Sequence, residues 1–431
     1  MKVALLTLGC KVNQSETAAI EAGLIRSGAQ IVDLDEKPDV CVINTCSVTS
    51  KSDYQSRQLI RRAAQTGAKL VVTGCYSELN AQELAEVKGD IRIVPNNDKT
   101  SIIKMITPVT SSDSLTSARK KPGSGRSRCF LKIQDGCSYS CSYCVIWKAR
   151  GPARSVAPET VIEQVRQAAE CGFREVVLNG IHLGLFSHPD RCGKPIGLSG
   201  LVEKILTETD IRRLRLSSLE VNELDDRLIG LMRTSRLCRH IHMPLQSGDD
   251  HVLSLMKRRY KSDNFADKVN KLVSEIPDIA IGTDVIVGFP GEGEHEFRNT
   301  LRLLEDLPLA YMHVFPYSER PGTEAAGLPG KVNGLAKKNR AAMIRELAQR
   351  KKDLFIDSLI NKEFNVIIEE GAQKPDGRLA GHTGITDNYV KVFIPIENTG
   401  QRCGFPAGSG MDISILDRKN SMAIGKALIK P

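Results

Sequence analysis

The chain has 431 residues, 41% of them hydrophobic and 26% charged, which is ordinary for soluble globular proteins and favours neither disorder nor a membrane class. No run reaches the roughly 18 apolar residues of a membrane span, and the opening "MKVALLTLGCKVNQ" reads as a strand rather than a signal peptide. A net charge of +9 fits a polyanionic partner such as nucleic acid, and fits a solubilising surface equally well.

The length asks for roughly two to four domains. Short apolar runs at 2–9, 39–44, 69–74 and 91–94 alternate with helical patterns at 13–28, 50–66 and 78–87, the βαβ signature of an open parallel sheet. Residues 108–128, "PVTSSDSLTSARKKPGSGRSR", have no apolar period and mark a linker. Beyond it, strand candidates at 129–134, 175–180, 212–218, 239–245, 279–289 and 311–317, mostly separated by helices such as 158–172, predict a partial or complete (β/α) barrel. A long basic helix, 334–360, is expected to close that barrel. The last 70 or so residues turn to β-branched and aromatic runs at 363–371, 389–396, 411–417 and 422–429, the spacing of a small β-barrel. The expected fold is therefore α/β with a terminal β unit, divided as 1–107, linker 108–128, 129–361 and 362–431.

Absence of secretion signals places the chain in the cytoplasm, where thiols stay reduced, so the 12 cysteines point to metal or redox work rather than disulfides. Cys137, Cys141 and Cys144 lie in "CSYSCSYC", just after a strand. That spacing can hold three corners of an iron-sulfur cube and leave one iron without a protein ligand. A zinc knuckle on Cys141 and Cys144 is the competing reading, and it lacks a second ligand pair. Cys10, Cys46 and Cys75 each end a predicted parallel strand and precede a predicted helix, so they can converge on one sheet edge as a second metal site. The alternative is that each is a small buried hydrophobe, which is how Cys41, Cys171, Cys192 and Cys403 are read.

The segments "LGCKVNQSET" (8–17), "VINTCSVT" (42–49), "VTGCY" (72–76), "CSYSCSYC" (137–144), "LRLSSLE" (214–220), "HMPLQSGDDHVLSLMKRRY" (242–260), "TDVIVGFPGE" (283–292) and "HVFPYSERPGTEA" (313–325) occur in an order that resembles the radical S-adenosylmethionine methylthiotransferases. Within that family the chain is most similar to the type acting on threonylcarbamoyladenosine of tRNA. The resemblance implies two 4Fe-4S clusters, an auxiliary one on Cys10, Cys46 and Cys75 and a radical-generating one on Cys137, Cys141 and Cys144. It implies S-adenosylmethionine along Tyr143, Asn179, Gly180, Ser217, Ser218, Glu220, Gln246, Asp284, Val285 and Gly288, and a terminal unit similar to the RNA-contacting TRAM domain. Partners implied are tRNA, at its anticodon loop, and an electron-donor protein. The same chemistry on isopentenyladenosine or on a ribosomal-protein aspartate is the nearest alternative, and a non-catalytic metal-containing RNA-binding module is the alternative of another class. Arg150, Arg258, Arg259 and Arg320 are candidate RNA or substrate contacts, each with a surface role as its alternative. The chain departs from the family pattern at Trp147-Lys148 and at Ser15, where an aromatic residue is commoner.

Overall fold

A computed structural model describes residues 1–87, 89–107, 127–190, 192–233, 236–373, 379–399 and 405–428. Five parallel strands form the amino-terminal sheet, in the order Gln30–Ile31, Lys2–Thr7, Val40–Thr45, Lys69–Gly74 and Ile91–Ile93. All six residues of Val40–Thr45 are buried, as expected of a parallel strand covered on both faces. Val40 and Val42 pack with Ile20 and Leu24 of helix Lys11–Arg26, while Cys41 and Ile43 pack with Ile60 and Ala63 of helix Ser50–Ala64. The helix expected at 78–87 begins earlier, at Cys75, and breaks at Asn80 into Cys75–Leu79 and Ala81–Ala85. Most of the expected linker, residues 108–126, lies outside the described residues, as does Cys403.

Six parallel strands follow: Cys129–Lys132, Glu175–Asn179, Arg213–Leu216, His240–His242, Ala280–Val287 and Tyr311–Pro316. They pair as two three-stranded sheets, linked by the bridge Leu214–Leu237. Among the described residues the first and last strands do not meet, so the barrel is partial. The long helix, Gly334–Asp357, does not close it. The helix packs beside the last strand, with Arg345 donating to the Val314 carbonyl at 3.4 Å. At the opposite edge the Ser15 hydroxyl of the first helix donates to the Phe130 carbonyl at 2.9 Å, which gives that residue a structural part.

The terminal unit is a closed barrel of Glu363–Gln373, Leu379–Thr386, Lys391–Pro395, Met422–Ala427 and Gly410–Lys419. Leu379–Thr386 was missing from the sequence expectation because Gly381 and Gly384 read as turn residues. A Cβ at Gly381 would come within 2.3 Å of the Ile394 carbonyl, so glycine is what lets the two strands approach. Among the described residues no helix is long and apolar enough to cross a membrane.

Candidate active site

The amino-terminal sheet edge, the barrel mouth and the terminal unit enclose a cavity of about 1420 Å³, and all six cysteines singled out in the sequence line it. Two glycines steer the first set. Gly9 and Gly74 take φ of +109° and +107°, a conformation side chains disfavour. A Cβ on Gly9 would meet Cys46 Sγ at 2.9 Å. Cys10 then takes the N-cap position of helix Lys11–Arg26 and lines the same cavity. The second set sits in the loop after strand Cys129–Lys132, where the Tyr139 amide donates to Cys137 Sγ at 3.4 Å and the Ile146 amide to Cys144 Sγ at 3.3 Å.

The described cysteines are free thiols. Burial pushes those of Cys46, Cys75 and Cys141 up, and that of Cys144 up to about 12. These four thiols, two in each set of three, resist ionisation and gain most from a cation that stabilises the thiolate. Protein cations already lean that way. Arg150 Nε donates to Cys75 Sγ at 3.3 Å, and Arg258 Nη1 to Cys141 Sγ at 3.6 Å. Two buried acceptors without partners, Asn179 Oδ1 and Ser217 Oγ, belong to residues of the same wall. This donor set fits two thiolate-bound clusters and a polar small-molecule cofactor.

Of the residues implied for that cofactor, Tyr143, Asn179, Gly180, Ser217, Ser218, Glu220, Gln246 and Asp284 line the cavity. Glu220 is ion-paired with Arg258, and Asp284 Oδ1 lies 3.1 Å from His242 Nε2. Two of the implied residues do not line it. Val285 has its side chain in the hydrophobic core, and the Gly288 amide donates to Glu292 Oε1 at 2.8 Å.

The arginines divide. Arg258 lines the cavity, and Arg259 is exposed, with its guanidinium 3.8 Å from the centre of the Tyr139 ring. Arg150 and Arg320 are not available to RNA, since both are buried where the amino-terminal unit meets the barrel. Arg150 bonds Glu16 Oε1 at 2.5 Å, Asn13 Oδ1 at 2.6 Å and Asp135 Oδ1 at 3.3 Å. Arg320 bonds Ser47 Oγ at 2.7 Å and Asp53 Oδ2 at 2.6 Å. Cys192, expected to be buried, is exposed, because its turn is built on Asp190.

Several residues escaped the sequence reading. His182 Nδ1 lies 3.2 Å from Cys137 Sγ and its Nε2 2.5 Å from Glu223 Oε1. Burial opposes its protonation, but the Cys137 and Glu223 contacts raise its pKa to about 9. Its place just after a strand's carboxyl end was the signal. Lys11, His313 and Tyr389 also line the cavity. Tyr389 comes from the terminal unit, so only the tertiary fold puts it there.

Comparisons with known proteins agree with this architecture. Residues 2–95 match the model of the uncharacterized protein family UPF0004, and residues 131–304 match the radical SAM superfamily. The chain is 36% identical, over 91% of its length and 96% of the relative's, to the threonylcarbamoyladenosine tRNA methylthiotransferase MtaB of Aquifex aeolicus. It is also 36% identical to the protein of that name from Bacillus subtilis, over 91% of this chain and 90% of the relative. Among solved structures, the radical S-adenosylmethionine methyltransferase TsrM from Kitasatospora setae superposes with a TM-score of 0.56 at 14% identity, covering 75% of this chain and 77% of that one. That likeness speaks for the fold alone.

Proposed function

The chain belongs to the radical S-adenosylmethionine methylthiotransferases, and we propose that it transfers a methylthio group to carbon 2 of N6-threonylcarbamoyladenosine at position 37 of tRNA. The observation that supports this reading is the single cavity onto which two sets of three cysteines open, one from the amino-terminal sheet and one from the barrel. An enzyme that only generates a radical needs one such set. The choice of nucleoside follows the two relatives from Aquifex aeolicus and Bacillus subtilis.

In this reading Cys137, Cys141 and Cys144 hold the radical-generating 4Fe-4S cluster, and Cys10, Cys46 and Cys75 hold an auxiliary one. When bound, the clusters and S-adenosylmethionine supply one-electron chemistry and a carried sulfur, which carbon 2 of a purine requires because it has no acidic proton for a general base. The chain's own residues do the rest. Asn179 Oδ1 and Ser217 Oγ, buried without partners, offer acceptors to the polar groups of S-adenosylmethionine. Glu220 and Arg258 fix each other beside Cys141. Arg150, the last residue of the short helix Ile146–Arg150 that follows Cys144, joins it to Cys75 and Asn13 and so holds the two cysteine sets in one register. Phe355 and Tyr389 cover the cavity from the carboxyl-terminal side and restrict water. The target base lies in a single-stranded anticodon loop, so it can be turned out without melting a helix. The electron is expected from a donor protein in the cytoplasm.

The test is turnover of the anaerobically reconstituted enzyme on tRNA carrying threonylcarbamoyladenosine, followed by mass spectrometry of the digested nucleosides. The expected product is the 2-methylthio derivative. Its absence, together with methylthiolation of isopentenyladenosine, would overturn the assignment.

A further inference from the structure

Charges in the cavity wall are unequally satisfied. The wall holds two carboxylates among the described residues, Glu220 and Asp284, and they face Arg258 and His242. Lys11 is different. It is half-buried, lines the cavity and, among the described residues, has no hydrogen bond or ion pair for its ammonium. The centre of the Tyr389 ring lies 5.5 Å from Nζ, and Glu175, the carboxylate whose field reaches Lys11, is already paired with Arg128, Arg213 and Arg215. Lysine is rarely held inside a protein without an anion.

The surroundings deepen that imbalance. Arg128, Arg213 and Arg215 surround Glu175, with Arg215 also against the Tyr389 ring, and the carboxylates paired with them are Glu175 and Glu369. With Lys11, four cations therefore meet two carboxylates. The other cavity lysines, Lys352 and Lys391, are exposed and suit phosphates at the rim. Lys11 instead follows Cys10 directly, on the wall where the amino-terminal cysteines gather.

We propose that Lys11 is the receptor for the carboxylate of the amino-acid substituent on the target nucleoside, with the Tyr389 ring closing one side of the ammonium. This rests on the threonylcarbamoyladenosine reading. It makes Lys11 a specificity residue, because an isopentenyl group offers no charge and would leave the half-buried ammonium unpaired. A hydrogen-bonded charge pair of this kind is worth about tenfold to a hundredfold in affinity.

The experiment compares binding of three anticodon stem-loops to the reconstituted holoenzyme: one with threonylcarbamoyladenosine, one with its neutral carboxamide analogue and one with isopentenyladenosine. The wild type is expected to favour the carboxylate form over the carboxamide by about tenfold to a hundredfold. Lys11→Met should abolish that preference while leaving carboxamide affinity and iron content unchanged, and Lys11→Arg should keep most of it. A Lys11→Met protein that keeps the preference, or that loses affinity for all three stem-loops alike, overturns the role of Lys11 while leaving the substrate intact. A wild type that binds the threonylcarbamoyl and isopentenyl forms equally well overturns the substrate reading itself.

Discussion

Glu16, where the amino-terminal unit meets the barrel, and Glu175, where the barrel meets the terminal unit, are each buried among three cations: Lys99, Lys132 and Arg150 around the first, Arg128, Arg213 and Arg215 around the second. Both carboxyls are held below the usual range, against burial, by those neighbours. What differs is where the spare donors go. Arg150 sends Nε to Cys75 Sγ, whereas Arg213 and Arg215 send theirs to the backbone carbonyls of Asn365, Ile385, Thr386 and Asp387. One clamp reaches a cysteine of the cavity wall and the other is an anchor. The same physical device aligns a site in one place and merely fastens a module in the other.

Breaking the first clamp should have the largest effect. Removing one member of a buried charged set costs about 3–5 kcal/mol, and a small misplacement of reacting groups costs about a hundredfold in rate. Glu16→Gln is therefore expected to lower the denaturation midpoint and to cut turnover by about a hundredfold or more. Glu175→Gln should destabilise by a similar amount, about 3–5 kcal/mol, but leave reductive cleavage of S-adenosylmethionine in place and raise KM for tRNA. Equal losses in both assays for the two variants would erase the distinction.

Arg150→Gln sharpens it further. With the N–H···S contact and its charge removed, the auxiliary cluster proposed on Cys75 is expected to become harder to reduce, which a spectroscopic redox titration reads, while the cluster proposed on Cys137, Cys141 and Cys144 keeps its potential.

Acid gives a smaller, graded test. Glu175 has a folded pKa below its ordinary value of 4.5, so its contribution to stability is complete above that value. It is lost as pH falls from there through the folded pKa. Thermal midpoints should drop between about pH 5 and lower values, and Glu175→Gln should flatten that slope. At the small end, Ser318→Ala removes the exposed contact between Ser318 and Ser50 and should shift stability by less than about 0.5 kcal/mol.

Cys10, Cys46 and Cys75 were legible because each follows an apolar run that reads as a strand, and strand ends of a parallel sheet share an edge, whereas Cys137, Cys141 and Cys144 were legible from their spacing alone. The clamps were not. Glu16 sits in "NQSETAAIEAG", where a carboxylate reads as solvent-facing, and two of its partners lie more than 100 positions away. Arg213 and Arg215 alternate with leucines in a strand, the pattern of a half-exposed strand. The terminal unit buries that face as well, and nothing local announces it. The same long-range packing withdrew Arg150 and Arg320 from the surface and brought Tyr389 into the cavity.

The open seam of the partial barrel carries one more implication. A bare strand margin is a template on which another chain can pair and aggregate, and here the Ser15 hydroxyl occupies a carbonyl of the leading strand. Helix Lys11–Arg26 precedes that strand in the sequence, so a ribosome releases the shield before the margin it protects. The covering helix is thus already made when the margin emerges.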